Sequence, residues 1–153
     1  MHPLAAATAE QILILPALVL GLAIGVYEAI LMHRDVSVPT HRFGHTIHAI
    51  VLAIIAVFIT MNTAFVVKSV PALQNLGFFG QPLVLQIIVG LFMMVKIHAV
   101  SRAISGSVGG MSVGLGETWF HSLFIGALII AAPYAWPFLA PVMPSWLGGS
   151  GGK

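Results

Sequence analysis

Histidine and carboxylate side chains recur at helical spacing along this chain of 153 residues. His41, His45 and His48 are spaced i, i+4, i+7, so a helix carries all three on one face. Glu117 and His121 are four residues apart and share a helix face in the same way. Because imidazole and carboxylate groups bind metals, hold haem iron and transfer protons, these positions are the first candidates for chemistry.

Metal binding is the first chemistry that these residue types support. Two histidines and one or two carboxylates from separate helices can bind zinc, iron or copper inside a helical bundle. The candidate ligands are His45, His48, Glu117, His121 and Glu28. The pattern departs from that of di-iron bundles, because Glu117 and His121 are one residue further apart than the Glu-x-x-His pairs of those proteins.

Haem binding is the second interpretation of the same histidines. Two histidines at matched depth on different helices can be the axial ligands of a b-type haem, and His45 with His121 form the candidate pair. Gly44 and Gly126 are small enough to leave room for the ring. A transition metal and haem b are therefore both open as cofactors.

Glu28 and Lys96 are predicted to lie at similar depth. Glu28 lies six residues before Arg34, and Lys96 lies six residues before Arg102. If the two arginines mark similar depths, Glu28 and Lys96 can form a buried ion pair or, with the histidines, a proton relay. The structural alternative is that the pair only neutralises its own charge, while His98 and Arg102 extend to lipid headgroups.

The composition requires an apolar environment around these groups. Hydrophobic residues make up 59% of the chain and charged residues only 7%, whereas soluble domains carry about 25% charged residues. Long apolar runs predict membrane-spanning helices at about 12–32, 46–67, 82–102 and 117–140. The predicted fold is all-α, an integral membrane four-helix bundle with antiparallel neighbours. It forms a single domain over 1–147, followed by a flexible glycine-rich tail at 148–153.

The basic residues predict an orientation. Four of them lie in or beside the first and third interhelical loops and two lie elsewhere: Arg34, Arg42, Lys96 and Arg102 against Lys68 and Lys153. The positive-inside rule then puts those two loops in the cytoplasm and both chain termini on the non-cytoplasmic side. The ionisable cluster would accordingly lie at the cytoplasmic end of the bundle.

The two predicted hairpins align with each other. Gly21 to Val26 matches Gly90 to Val95 with an offset of 69 residues, and His45 matches His121 with an offset of 76. Duplication of a hairpin would relate the halves by an axis along the membrane normal. Apolar helices also resemble one another by chance, so both explanations stay open. The GxxxG step of Gly21 and Gly25 is likewise either a helix contact or ordinary membrane-helix composition.

The leading functional prediction is a non-catalytic transmembrane subunit of a multi-subunit membrane complex. Its expected partners are the lipid bilayer and other membrane subunits or further copies of itself. The alternative is a metal- or haem b-binding membrane protein using histidines of the second and fourth helices, and the third is a small proton-coupled transporter or channel component. A net charge of +2 gives no basis for nucleic-acid binding, and the absence of a nucleotide-binding or nucleophile–base motif argues against an independent enzyme.

Overall fold

The computed structural model describes residues 11–35, 39–106 and 119–151, with side chains outside 32–35, 39–45 and 100–106. These residues form helices and connecting turns and contain no β-strand, which confirms the all-α prediction for the described part of the chain. In chain order the helices are α1 (Ile14–Asp35), α2 (Pro39–Met61), α3 (Thr63–Ser69), α4 (Pro71–Gln74), α5 (Pro82–Gly106) and α6 (Trp119–Leu139). Short 3-10 helices cover Gly77–Gly80 and Ser145–Leu147.

Three of these helices are long and apolar enough to cross a membrane, over Ile14–Leu31, Pro82–Ala99 and Trp119–Leu139. The described part of α2 taken together with α3 is also long and apolar enough for a crossing, and those two helices meet at an angle of 90°. The structure thus differs from the predicted continuous helix 46–67. The break lies at Asn62, whose backbone leaves the helical region with φ −123° and ψ 35°.

The Asn62 side chain explains the break. Its amide nitrogen donates to the carbonyl oxygen of Phe58 at 2.9 Å and to that of Leu13 at 3.4 Å. Its amide oxygen accepts from the backbone N–H of Leu13 at 2.7 Å. Asparagine competes for backbone hydrogen bonds in this way, and here it ends α2 while holding the segment that enters α1.

The long helices pack as two antiparallel pairs. α1 lies against α2, α5 lies against α6, and α2 and α6 contact each other and the remaining members of the opposite pairs. The largest fully buried side chains are Val57 and Thr60 on α2 with Ser122, Ile125 and Ile129 on α6. The interior therefore lies along the contact between these two central helices.

Glycines set the closest approach within each pair. A Cβ atom placed on Gly21 would lie 2.6 Å from the Cα atom of Ile54, and one placed on Gly25 would lie 2.7 Å from the Cα atom of Ile50. Carbon atoms in contact are ordinarily about 3.5–4.0 Å apart, so only glycine permits this spacing. The GxxxG step is thus a specific contact between α1 and α2.

The second pair packs in the same way as the first. A Cβ atom on Gly90 would overlap Cγ1 of Ile130. Shifting Gly21 by 69 residues and Ile54 by 76 gives this same pair of positions. Gly126 in turn lies against Gly90 and Met94.

Burial follows the same two offsets. Between residues 16 and 29 of α1, every buried position falls on a buried position of α5 after a shift of 69, except that Gly25 falls on the half-buried Met94. On α2, the buried residues Ala53 and Thr60 fall on Ile129 and Trp136, which are also buried. Two helices with the same period can show matching burial by chance. They would not also place the contacting residues of the two pairs at equivalent positions.

The chain after α6 folds back toward the helices. The backbone N–H of Ser150 donates to the carbonyl oxygen of Ala140 at 2.7 Å, and that of Gly151 donates to Met143 at 3.0 Å. Gly148 has a positive φ of 84° and lies against Pro16. The expected flexible tail is therefore folded through residue 151, and residues 152–153 lie outside the described range.

Candidate functional site

Buried polar side chains from three helices lie at one end of the molecule. We call this group the polar cluster: Glu28 on α1, Lys96 and His98 on α5, and His121 and Ser122 on α6. The cluster lies where α1 and α5 approach their C-terminal ends and α6 begins. Taking charged and polar groups out of water costs free energy, so a cluster of this kind calls for either compensating contacts or a function.

Glu28 and Lys96 are the two oppositely charged members of the polar cluster. Glu28 is only 3% exposed, and Lys96 is half-buried. The Glu28 carboxylate interacts electrostatically with the Lys96 ammonium across the space between α1 and α5. Opposite charges offset part of each other's desolvation cost, and a buried ion pair or proton relay between these two side chains stays a prediction.

His98 is the member of the cluster that the sequence interpretation placed differently. Its side chain is 8% exposed instead of extending outward, and the indole of Trp119 stacks on it with 3.7 Å between ring centroids and 17° between planes. Within the described residues neither Nδ1 nor Nε2 has a hydrogen-bond partner. The spacing of His98 four residues after Met94 and eight after Gly90 was the available signal that it faces inward.

His121 and Ser122 contribute the α6 side of the cluster. The His121 ring is half-buried, stacks on Tyr27 with a centroid distance of 6.5 Å, and has a buried Nε2 atom. Ser122 is fully buried, and its hydroxyl has no hydrogen-bond partner among the residues that the structure describes. Since Trp119 lies one turn before Ser122, the indole that covers His98 belongs to the same turn of α6 as this hydroxyl.

The predicted metal ligands are only partly described. Glu28 and His121 belong to the polar cluster, but His48 lies on the exposed side of α2 together with Val51 and Ile55. Among the described residues there is no group of three or more potential ligands that could hold a metal ion. Glu117 and the side chain of His45 lie outside the described range, so the His45–His121 axial pair stays a prediction.

A second polar group lies at the opposite end of the same helices and joins α2, α5 and α6. The Tyr134 hydroxyl donates to Oε1 of Gln86 at 2.8 Å, and Nε2 of Gln86 donates to the carbonyl oxygen of Thr60 at 3.1 Å. The Thr60 hydroxyl donates to the carbonyl oxygen of Ile129 at 3.1 Å. These groups are neutral and end on backbone carbonyls, so their effect is to fix the relative positions of the three helices.

The sequence analysis did not identify this second group. Gln86 is buried, and its position four residues before Gly90 places it on the inward face of α5. The two ends of the molecule therefore differ in chemistry: ionisable groups lie at one end and neutral hydrogen-bonding groups at the other.

Comparisons with known proteins add no identification. No protein family, no curated protein and no solved structure matches this chain. A function for this chain therefore rests on its packing, its exposed surfaces and its polar cluster.

Proposed function

We propose that this chain is a multi-pass integral membrane protein, a four-helix bundle made of a duplicated hairpin, and that it serves as a non-catalytic subunit of a membrane complex. The observation that carries the subunit role is a pair of exposed small residues, Ala127 and Ala131, between larger side chains on the outer face of α6. We call this position the notch. Lipid embedding and duplication are supported separately by the exposed side chains and by the equivalent packing of the two pairs.

Exposed apolar surface supports the membrane location. Each of the three candidate spans buries only 33% of its residues inside the chain. On the outward faces Phe92 is 64% exposed, Phe120 75% and Phe138 81%. Burial of one such side chain contributes roughly 1.5–3 kcal/mol, so repeated exposure along whole helices favours a lipid or protein environment over water.

The equivalent contacts support duplication. Gly21 against Ile54 and Gly90 against Ile130 are related by the offsets that align the sequence, and α1 contacts α6 as α5 contacts α2. This arrangement fits two parallel repeats related by an axis along the membrane normal. Both hairpins would then enter the membrane from the same side.

The notch on α6 supports a partner helix. Ala127 and Ala131 lie one turn apart and are both exposed, while the same face carries Phe124 before them and Tyr134 and Phe138 after them. Small residues four apart let another membrane helix approach closely. Inside this chain, glycines allow the two helices of each pair to approach closely. The exposed alanines of α6 would allow the same close approach by a helix from another subunit.

Substitution of Ala131 tests the subunit role. We expect native mass spectrometry from lipid nanodiscs or mild detergent to show the chain with a second copy or another subunit. Ala131→Phe should fill the notch and abolish most of this association, whereas Ile88→Phe, at an exposed position on α5, should leave it unchanged. A chain that is monomeric in lipid, with no co-purifying partner, would count against the proposal.

Labelling tests the orientation. Because the chain has no cysteine, Asn75→Cys between α4 and α5 supplies a single exposed thiol. The distribution of basic residues puts this position outside the cytoplasm. A membrane-impermeant thiol reagent should then label it in intact cells as fully as in permeabilised ones, and labelling only after permeabilisation would reverse the assignment.

A cofactor-binding role is the second candidate, and the burial of imidazole nitrogens at the polar cluster favours it. The buried Nε2 of His121 is a potential ligand atom, and His45 is its predicted partner on α2. A visible spectrum with elemental analysis tests for haem or a transition metal. We expect His121→Gln to lose any bound cofactor and the exposed His48→Gln to retain it; protein that stays colourless and metal-free after reconstitution would refute this role.

A further inference from the structure

The segment from Thr63 to Gln81 connects the end of α2 to the start of α5 and is folded throughout. The α3 helix is followed by α4 and by the 3-10 helix Gly77–Gly80. The Gln74 side chain donates to the carbonyl oxygens of Val67 at 3.2 Å and Lys68 at 3.0 Å, which caps the last turn of α3. We refer to this segment as the connecting segment.

The direction of the connecting segment is fixed by the bend at Asn62. The α3 helix is turned by 90° from α2, so it lies across the direction in which α2 runs. Its seven residues make a helix of about 10 Å, too short to span the apolar core of a bilayer. If α2 crosses the membrane, α3 lies in the plane of the membrane.

Large apolar side chains of the connecting segment are not covered by the protein. Within α3 only Thr63 is buried, and α4 and the 3-10 helix have no buried residue. Leu76 is 49% exposed, Phe78 64% and Phe79 56%. Facing water, two adjacent phenylalanines would forgo several kcal/mol of apolar burial.

The same end of the molecule carries further exposed side chains suited to the membrane interface. Trp146 is 73% exposed and Tyr134 is 53% exposed, and aromatic rings of this kind favour the headgroup level. Lys68 supplies the charge in α3, and it is exposed. A lysine at the interface can lay its aliphatic stem along apolar surface while its ammonium reaches the lipid phosphates.

We propose that the connecting segment is an interfacial anchor that lies on the bilayer surface and inserts Phe78 and Phe79 at the boundary between headgroups and acyl chains. Asn62 holds the anchor at its right angle by bonding both Phe58 of α2 and the residue that leads into α1. The bound partner is phospholipid. The inference rests on the proposed membrane location and adds a specific lipid-binding surface to it.

Site-directed spin labelling in liposomes tests the anchor, and the cysteine-free chain allows each label to be placed singly. Labels at Phe78→Cys and Phe79→Cys should be accessible to oxygen, protected from a water-soluble nickel chelate, and lie roughly 5–10 Å into the boundary layer. A label at Phe92→Cys, on the outward face of a candidate span, is the deep control. A label at Asn75→Cys is the polar control in the same segment and should lie nearer to water.

The outcomes separate the anchor from the membrane location itself. Labels at 78 and 79 that the nickel chelate reaches freely would refute the anchor, and so would labels as deep as the one at 92. Labels shielded from both oxygen and nickel chelate would also refute it, because a protein partner would then cover the two phenylalanines. A label at Phe92→Cys that is exposed to water would overturn the membrane location, whatever the labels at 78 and 79 show.

Discussion

The contact of Gly21 and Gly25 with α2 gives the sharpest test of the packing. In Gly21→Ala the new Cβ would lie 2.6 Å from the Cα atom of Ile54, about 1 Å closer than carbon atoms pack. Since the opposing atom belongs to the backbone, no change of side-chain rotamer can relieve the contact. The two helices must move apart by about 1 Å or the substituted helix must rotate.

The expected magnitude follows from two opposing effects. Overpacking costs about 1–3 kcal/mol, and the higher helix propensity of alanine offsets at most about 1 kcal/mol of that. We therefore expect Gly21→Ala and Gly25→Ala each to lower the free energy of unfolding by about 1–2 kcal/mol. Reversible unfolding in mixed micelles with a denaturing detergent measures this quantity, with Ala23→Val at an exposed position of α1 as the control.

A comparison of the two hairpins makes the test more specific. A Cβ atom on Gly90 would overlap the Cγ1 and Cδ1 atoms of Ile130, so Ile130→Ala removes the nearest opposing atoms. We expect a coupling of roughly 0.5–3 kcal/mol between Gly90→Ala and Ile130→Ala, and a smaller one between Gly21→Ala and Ile54→Ala. Alanine at 21 and 25 without loss of stability, or equal coupling in both hairpins, would refute the reasoning.

Four other substitutions test the bend and the polar cluster. Asn62→Ala should lower the free energy of unfolding by about 1–3 kcal/mol in the same assay, because it leaves the half-buried backbone N–H of Leu13 without its acceptor; an unchanged stability would contradict its role at the bend. Glu28→Gln and Lys96→Met should each destabilise more alone than together, and a double-mutant cycle with no coupling would show that the two charges do not interact. Trp119→Ala should raise several-fold the rate at which diethyl pyrocarbonate modifies His98, followed by mass spectrometry, and an unaltered rate would show that the indole does not cover the imidazole.

The polar cluster was only partly predictable from sequence. Glu28 and Lys96 could be matched because their distances from Arg34 and Arg102 are equal, and this one-dimensional measure reports depth along a helix. Depth does not report direction around the helix axis. That is why outward extension of His98 was left open as an alternative, whereas in the structure its ring is buried and stacks on Trp119.

His48 shows the same limit, because its spacing made it a candidate ligand and the structure leaves its side chain exposed. Its spacing from His45 places the two within one turn of α2, but a helix turn has both an inward and an outward side. Ala49 and Ala53 take the inward side, which leaves His48 exposed with Val51 and Ile55. Which side of a helix is buried depends on where its neighbours lie, and the spacing of histidines alone does not contain that information.

The sequence by itself determined the all-α class, the candidate spans and the end at which ionisable residues gather, because hydropathy and helical rise act along the chain. Only the tertiary structure decided that Gly21 and Gly25 form a helix contact, that Asn62 turns the second span by 90°, and that Gln86 and Tyr134 join the polar group opposite the ionisable end. These features depend on which atoms of distant segments meet. A glycine, an asparagine or a glutamine acquires its role from the partner that reaches it.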